Sequence, residues 1–257
     1  MGTAYLLTEQ LVGGRGVCGM AWARNPRLEA GREVSEFLDS VFVPGARLGV
    51  RADDPLTFIT VVEVEEVTTI RVPSGRLVVD SPWSEEAGRE IVARIPPGTY
   101  RVEAAWTEAP YEHGGDYFDG RECAATRLCV GGSPVAVWEA GIGVNDAIGD
   151  AEIAAAGFHS DSEATGAIAD VEAWEALTAP FHRYRREVSS YGGSGSDRAT
   201  EDLCDGWFEK STNEALNADL IAFDVAEGWS PVWIGRTQSG TVASIIVPGQ
   251  MATSPLA

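Results

Sequence analysis

Apolar residues recur mostly at every second position and only briefly at every third or fourth, a pattern that predicts many short strands and few helices. Val34, Phe37, Leu38 and Val41 have helical spacing, so a short amphipathic helix is expected over residues 34–42, ended by Pro44-Gly45. Residues before Leu28 mix glycine, short apolar pieces and Trp22 without a period and predict no element. From Phe58 onward β-branched residues dominate. Residues 58–64 and 67–72 read as strands, Pro73-Ser74-Gly75 as a turn, and 76–80 as the returning strand of a hairpin. Residues 91–95, the turn Pro96-Pro97-Gly98 and residues 100–106 repeat strand, tight turn, strand, and 123–130 and 135–140 continue the series.

The second half mixes signals. Residues 147–156 and 170–177 read as helices, the latter with Asp170 as N-cap or first-turn acid and with Trp174 and Leu177 on one face. Residues 202–216 read as a further, weaker helix, and 220–223, 232–234 and 242–247 as closing strands. The Gly-Ser run after Tyr191 predicts a surface loop, and the last eight residues have no apolar period. The expected fold class is α+β, a mostly antiparallel β-sheet or sandwich with a few short helices, formed by one domain over residues 1–257 without internal repeats.

Charge changes the picture more than composition does. A formal net charge of −20 repels phosphate backbones and anionic lipid, so neither nucleic acid nor membrane is an expected partner. The acids either keep the surface hydrated or face a cationic guest such as an amine. Lys210 is the only lysine beside many arginines, a codon signature of a GC-rich genome such as an actinobacterium's. No apolar run reaches membrane-spanning length and the first residues lack a basic start followed by an apolar stretch, which reads as cytoplasmic. Cys18, Cys123, Cys129 and Cys204 form no Cys-x-x-Cys pair and are expected as free thiols; Cys123 and Cys129, six apart in one strand, share a face by parity.

Three segments carry candidate chemistry. Gly157-Phe158-His159-Ser160-Asp161-Ser162-Glu163 sets an imidazole among carboxylates in a glycine-containing turn, either a general base and ammonium holder or a solvated turn. Tyr111-Glu112-His113-Gly114-Gly115-Asp116-Tyr117-Phe118-Asp119 offers His113, Asp116 and Asp119 as grips for a cation, or is an ordinary long hairpin loop; its spacing matches neither the EF-hand loop nor a zinc signature. Phe181-His182-Arg183-Tyr184-Arg185-Arg186 is the one basic cluster, able to receive an anion through Arg183 and its neighbours or to pair with the chain's own acids. Of eight tryptophans, Trp138, Trp174 and Trp233 sit at core positions, whereas Trp207 and Trp229, the latter beside Glu227, stand next to glycine and acids and suit a pocket or an interface. Walker loops, nucleophile elbows, dinucleotide fingerprints and paired-histidine metalloprotease motifs are missing, so no cofactor is expected.

Pro73-Ser74-Gly75-Arg76, Ile95-Pro96-Pro97-Gly98-Thr99-Tyr100, the strand at 134–138, Gly157-Phe158 leading to Asp161 and Asp170, and Pro231-Val232-Trp233-Ile234-Gly235-Arg236 follow in an order that resembles a bacterial family of unknown function over about residues 65–247, behind an N-terminal extension of about 60 residues. Two departures stand out: Ala164-Thr165-Gly166 where the family has Gly-Thr-Gly, and Ala226-Glu227-Gly228-Trp229-Ser230 where it has a longer run with an Asp. The expectation drawn is an enzyme, or one subunit of a hetero-oligomeric enzyme, acting on a small amine-bearing metabolite in natural-product biosynthesis. Its most concrete form is ring closure by base-assisted displacement, as in aziridine-forming proteins of azinomycin-type pathways, with His159, Asp161 and Asp170 as catalytic residues and His113, Asp116, Asp119, Arg183, Trp229 and Glu227 binding substrate. The alternative is a non-catalytic acidic module that neutralises a basic partner.

Overall fold

The computed structural model describes residues 28–49, 58–108, 111–113, 115–118, 120–146, 156–160, 163–191 and 200–250. The expected helix over 147–156 lies outside them except for its last residue, as do the Gly-Ser run after Tyr191, Asp119, Asp161, Cys18 and the C-terminal residues 251–257.

Alternating, β-branched sequence yields two antiparallel sheets. The larger runs edge to edge through β1 (Arg47–Gly49), β2 (Phe58–Val72), β5 (Gly98–Glu108), β8 (Arg121–Cys129), β17 (Val242–Pro248), β16 (Trp233–Arg236) and β9 (Val137–Ala140). The second runs through β12 (Glu201–Leu203), β13 (Phe208–Asn213), β14 (Ala218–Asp224), β11 (Thr165–Asp170), β3 (Arg76–Asp80) and β4 (Glu90–Arg94). Two short ladders, β6 (Tyr111–His113) with β7 (Asp116–Phe118) and β10 (Gly157–Ser160) with β15 (Gly228–Pro231), stand apart. One apolar cluster draws on both sheets, with Ile70, Val102, Trp106 and Ile245 from the larger and Leu77, Ile168, Ile221 and Phe223 from the second. Helix α1 (Arg32–Ser40) packs Phe37 and Leu38 on the other face of the larger sheet, against Val61, Trp138 and Ile246. Helix α2 (Trp174–Tyr191) packs Trp174, Leu177 and Phe181 on the other face of the second, against Val78, Ala169 and Leu220.

Both proline-glycine turns behave differently from the hairpins expected of them. β2 pairs with β5 and β1, whereas β3 pairs with β11 and β4, so Pro73-Ser74-Gly75 carries the chain from one sheet to the other. Pro96-Pro97-Gly98 carries it back between β4 and β5. The two corners touch. The Ile95 N–H donates to Gly75 O at 3.0 Å, and Gly75 has φ 69°, with no room for a Cβ, which would lie 2.2 Å from Ile95 O. Glycine is required there both for its left-handed backbone and for that close approach. The Tyr100 hydroxyl donates to Pro96 O, and the Arg76 guanidinium forks onto Glu90 at 2.9 and 2.7 Å. Short-range periodicity cannot distinguish a hairpin from a corner, because both read as strand, turn, strand.

Three further expectations change. Residues 202–216 form β12, β13 and their turns rather than a helix; Cys204, Asp205 and Gly206 all have positive φ, which turns the chain back at the point where a helix would continue. The two strands expected over 58–72 are one strand with irregularities at Val61/Glu63 and Glu66/Thr68; each inverts the alternation and the two cancel, so Val64 between them packs on the α1 side with Ile59 and Val61, while Ile70 and Val72 face the shared core. The register shift opposite Ala105/Trp106 also breaks the parity of β8. Cys123 and Leu128 both enter the shared core, so Cys129 faces the opposite side and the two thiols do not share a face. Cys123, Cys129 and Cys204 are free thiols.

Candidate functional site

Asp80, the last residue of β3, opens an eight-residue loop that returns at Arg89. Its Oδ1 accepts the Ser81 N–H and its Oδ2 the Arg89 N–H, each at 2.8 Å, so one carboxylate pins both ends of the loop neck. Burial pushes the Asp80 carboxyl above its ordinary range, against those two N–H donors. Within the neck the Trp83 and Ser84 amides donate to Ser81, and the Arg185 guanidinium of α2 donates to Trp83 O at 3.2 Å. The Trp83 ring meets Phe181 edge-on at 5.3 Å between centroids. The loop is thereby held against α2.

Two adjoining hollows lie along it, sharing Glu85 and Glu86 in their walls. One, of about 440 Å³, is lined by Gly88, Val171, Trp174, Glu175, Thr178 and His182 among others. The other, of about 480 Å³, is lined by Ser81, Trp83, Ser84, His159 and Arg185. Each volume suits a small molecule. Glu85, Glu86 and Glu175 give the first hollow an anionic wall, Trp174 an aromatic one, and each hollow holds one histidine.

The residues singled out from the sequence are only partly brought together. His159 pairs in register with Trp229 across the β10–β15 ladder, with Glu227 just beyond the ladder; all three are exposed, and His159 reaches the second hollow. Arg183 is exposed on α2, but it is Arg185 that lines the cleft. His113 and Asp116 oppose each other as the last pair of the β6–β7 hairpin, so that segment is a strand hairpin. Asp161 and Asp119 lie outside the described residues. Asp170 is fully buried; its Oδ2 accepts the Ser74 N–H at 2.7 Å and the Ser74 hydroxyl at 2.8 Å, while its Oδ1 accepts the Glu172 N–H at 2.9 Å. Those bonds clamp the first corner to the turn before α2. The helix begins at Trp174, so Asp170 closes a side-chain turn ahead of it rather than capping it.

Sequence reading passed over Glu85, Glu86 and Trp83 and placed Trp174 only in the core. The available signal was Ser81-Pro82-Trp83-Ser84-Glu85-Glu86, an aromatic set among turn-forming residues and followed by two acids. Among the described residues no group of three or more His, Cys, Asp or Glu is gathered for a metal, and no helix is long and apolar enough to cross a membrane.

The chain belongs to the family described as "Protein of unknown function (DUF4241)", whose model matches residues 70–247. No curated protein and no solved structure matches significantly. The matched region contains both sheet-to-sheet corners, the loop over α2 and α2 itself. The recognisable pieces of sequence therefore divide by role. Pro73 to Arg76, Pro96 to Tyr100 and Asp170 build and brace the corners. Ala164, just before β11, adopts φ 47°, the left-handed backbone that a glycine takes without strain.

Proposed function

We propose that this chain binds a small amine-bearing molecule as its cation in the cleft between the 81–88 loop and α2. The observation that carries the reading is the wall of the first hollow, which Glu85, Glu86 and Glu175 line together with an aromatic side chain and an imidazole. Carboxylates attract an ammonium group, an indole face accommodates it, and a neutral imidazole nitrogen accepts its N–H. The same carboxylates favour the charged form of the amine, so the hollow is better suited to holding an ammonium than to stripping its proton. Base-assisted ring closure would need His159 or His182 to work against that field, and it stands as a secondary reading. The alternative of an acidic module for a basic protein draws on the net charge alone; a hollow of about 440 Å³ would then take one basic side chain.

Titration of the protein with pentylamine and with 1-pentanol, followed by tryptophan fluorescence, tests the reading. Saturable binding of the amine that weakens with salt, is absent for the alcohol, and falls at least tenfold in Glu86→Gln/Glu175→Gln supports it. Equal response to amine and alcohol, or to neither, overturns it.

A further inference from the structure

Trp174, Thr178 and His182 stand at i, i+4 and i+8 of α2, one stripe of the helix, and all three line the first hollow. The Thr178 hydroxyl between them is committed, donating to Trp174 O at 3.0 Å. The ring nitrogens on either side are not. Trp174 Nε1 and His182 Nε2 are both buried, and neither has a hydrogen-bond partner among the described residues. Trp174 as a whole is only 4% exposed. Buried polar nitrogens are nearly always satisfied, so two orphans on the floor of one hollow point to a missing occupant.

The chemistry of the two atoms differs, and that difference describes the occupant. An indole N–H only donates and needs an oxygen acceptor. The imidazole nitrogen can accept from an ammonium, and the surrounding carboxylates supply the charge such a group seeks. Eight helical residues separate the two Cα atoms by about 12 Å, so one ligand meets both nitrogens only if its oxygen and its amine lie at opposite ends of a short chain. We propose, resting on the amine reading above, that the ligand is an elongated one with a cationic amine at one end and a carbonyl-type oxygen at the other, the oxygen accepting from Trp174 Nε1 and the amine donating to His182 Nε2.

The indole is covered at the neck of the loop, beside Arg89. Gly88 lies against the indole, where a Cβ would come within 2.5 Å of Trp174 Cε2 and 2.6 Å of Nε1.

Affinities of N-acetylcadaverine and heptylamine for the intact chain, both cationic and of similar length but only one carrying the oxygen, test the inference. N-acetylcadaverine is expected to bind at least tenfold more tightly, and Trp174→Phe, which keeps an aromatic ring and loses the N–H, is expected to abolish the preference. The wild-type comparison stands even if that variant does not fold. Equal affinity in the wild type, or a preference that survives in folded Trp174→Phe, overturns the inference and leaves the amine site standing. Binding of neither compound overturns both.

Discussion

Replacing Asp170 with asparagine separates a structural carboxylate from a catalytic one. Its Oδ2 accepts two donors from Ser74 and its Oδ1 accepts the Glu172 amide, all in a fully buried setting. Asparagine keeps the shape but offers one oxygen, so its NH2 group must face either the Ser74 N–H or the Glu172 N–H. At least one buried backbone donor is then left unsatisfied, at about 1–3 kcal/mol, and the remaining bonds lose their charge assistance. The sum is about 3 kcal/mol, which for a chain of this size is a fall in Tm of roughly 6–12 °C. Differential scanning calorimetry and urea titration of the wild type and Asp170→Asn measure it. A variant with unchanged Tm and urea midpoint would refute the clamp. So would a variant of wild-type stability that had lost amine binding, because Asp170 would then act at the site and not at the corner.

Three other outcomes follow from the same structure. Ala164 holds φ 47°, so Ala164→Gly relieves left-handed strain and, after the entropy glycine adds to the unfolded chain, stabilises by about 0.5–1 kcal/mol in urea titration; a loss of stability would contradict this. Burial would push the Asp219 carboxyl up, but the hydrogen bonds from Arg71 and Thr212 outweigh it and hold the group below its ordinary range. Its folded pKa is thus lower than its unfolded one, so its contribution is present above the unfolded value and lost as pH falls through the folded one. Asp219→Asn, at a side chain 3% exposed that ties β2 to β14, should cost about 2–4 kcal/mol at neutral pH, with the difference from wild type shrinking in acid; a pH-independent difference would show that the ion pair is not its source. Burial pushes the Cys123 thiol up to about 12, so iodoacetamide at about pH 8 should label Cys123 only after unfolding, as read by peptide mass spectrometry, and rapid labelling of the native chain would contradict its placement.

Strand-forming segments were legible because β-branched alternation is a local property. β3, β8, β14 and β17 lie where residues 76–80, 123–130, 220–223 and 242–247 predict strands. Which sheet each strand joins was not legible. The Pro-Ser-Gly and Pro-Pro-Gly turns each read locally as strand, turn, strand, because only tertiary pairing tells a corner from a hairpin, and the parity of Cys123 and Cys129 fails because a bulge leaves no mark in the periodicity. The misread helix at 202–216 shows the same limit, since the positive φ of Cys204 and Asp205 belongs to residues that do not advertise it. At the candidate site, His159 with Trp229 could not be paired from sequence, as 70 residues separate them. Trp174 was recognised as apolar, but its orphaned nitrogen became visible only once its neighbours were known.

Indole N–H resonances offer the most direct test that an amine enters the cleft over α2. In protein labelled with ¹⁵N-tryptophan, the Trp174 signal is assigned by its loss in Trp174→Phe, and pentylamine is titrated in. Trp106 Nε1 donates to Glu65 at 2.9 Å and Trp138 Nε1 donates to Asp39 at 2.7 Å, so their signals serve as internal references. A saturable shift of the Trp174 indole proton, with the Trp106 and Trp138 signals in place, is the predicted result. A stationary Trp174 signal at saturating amine, or equal drift of all three, would contradict it.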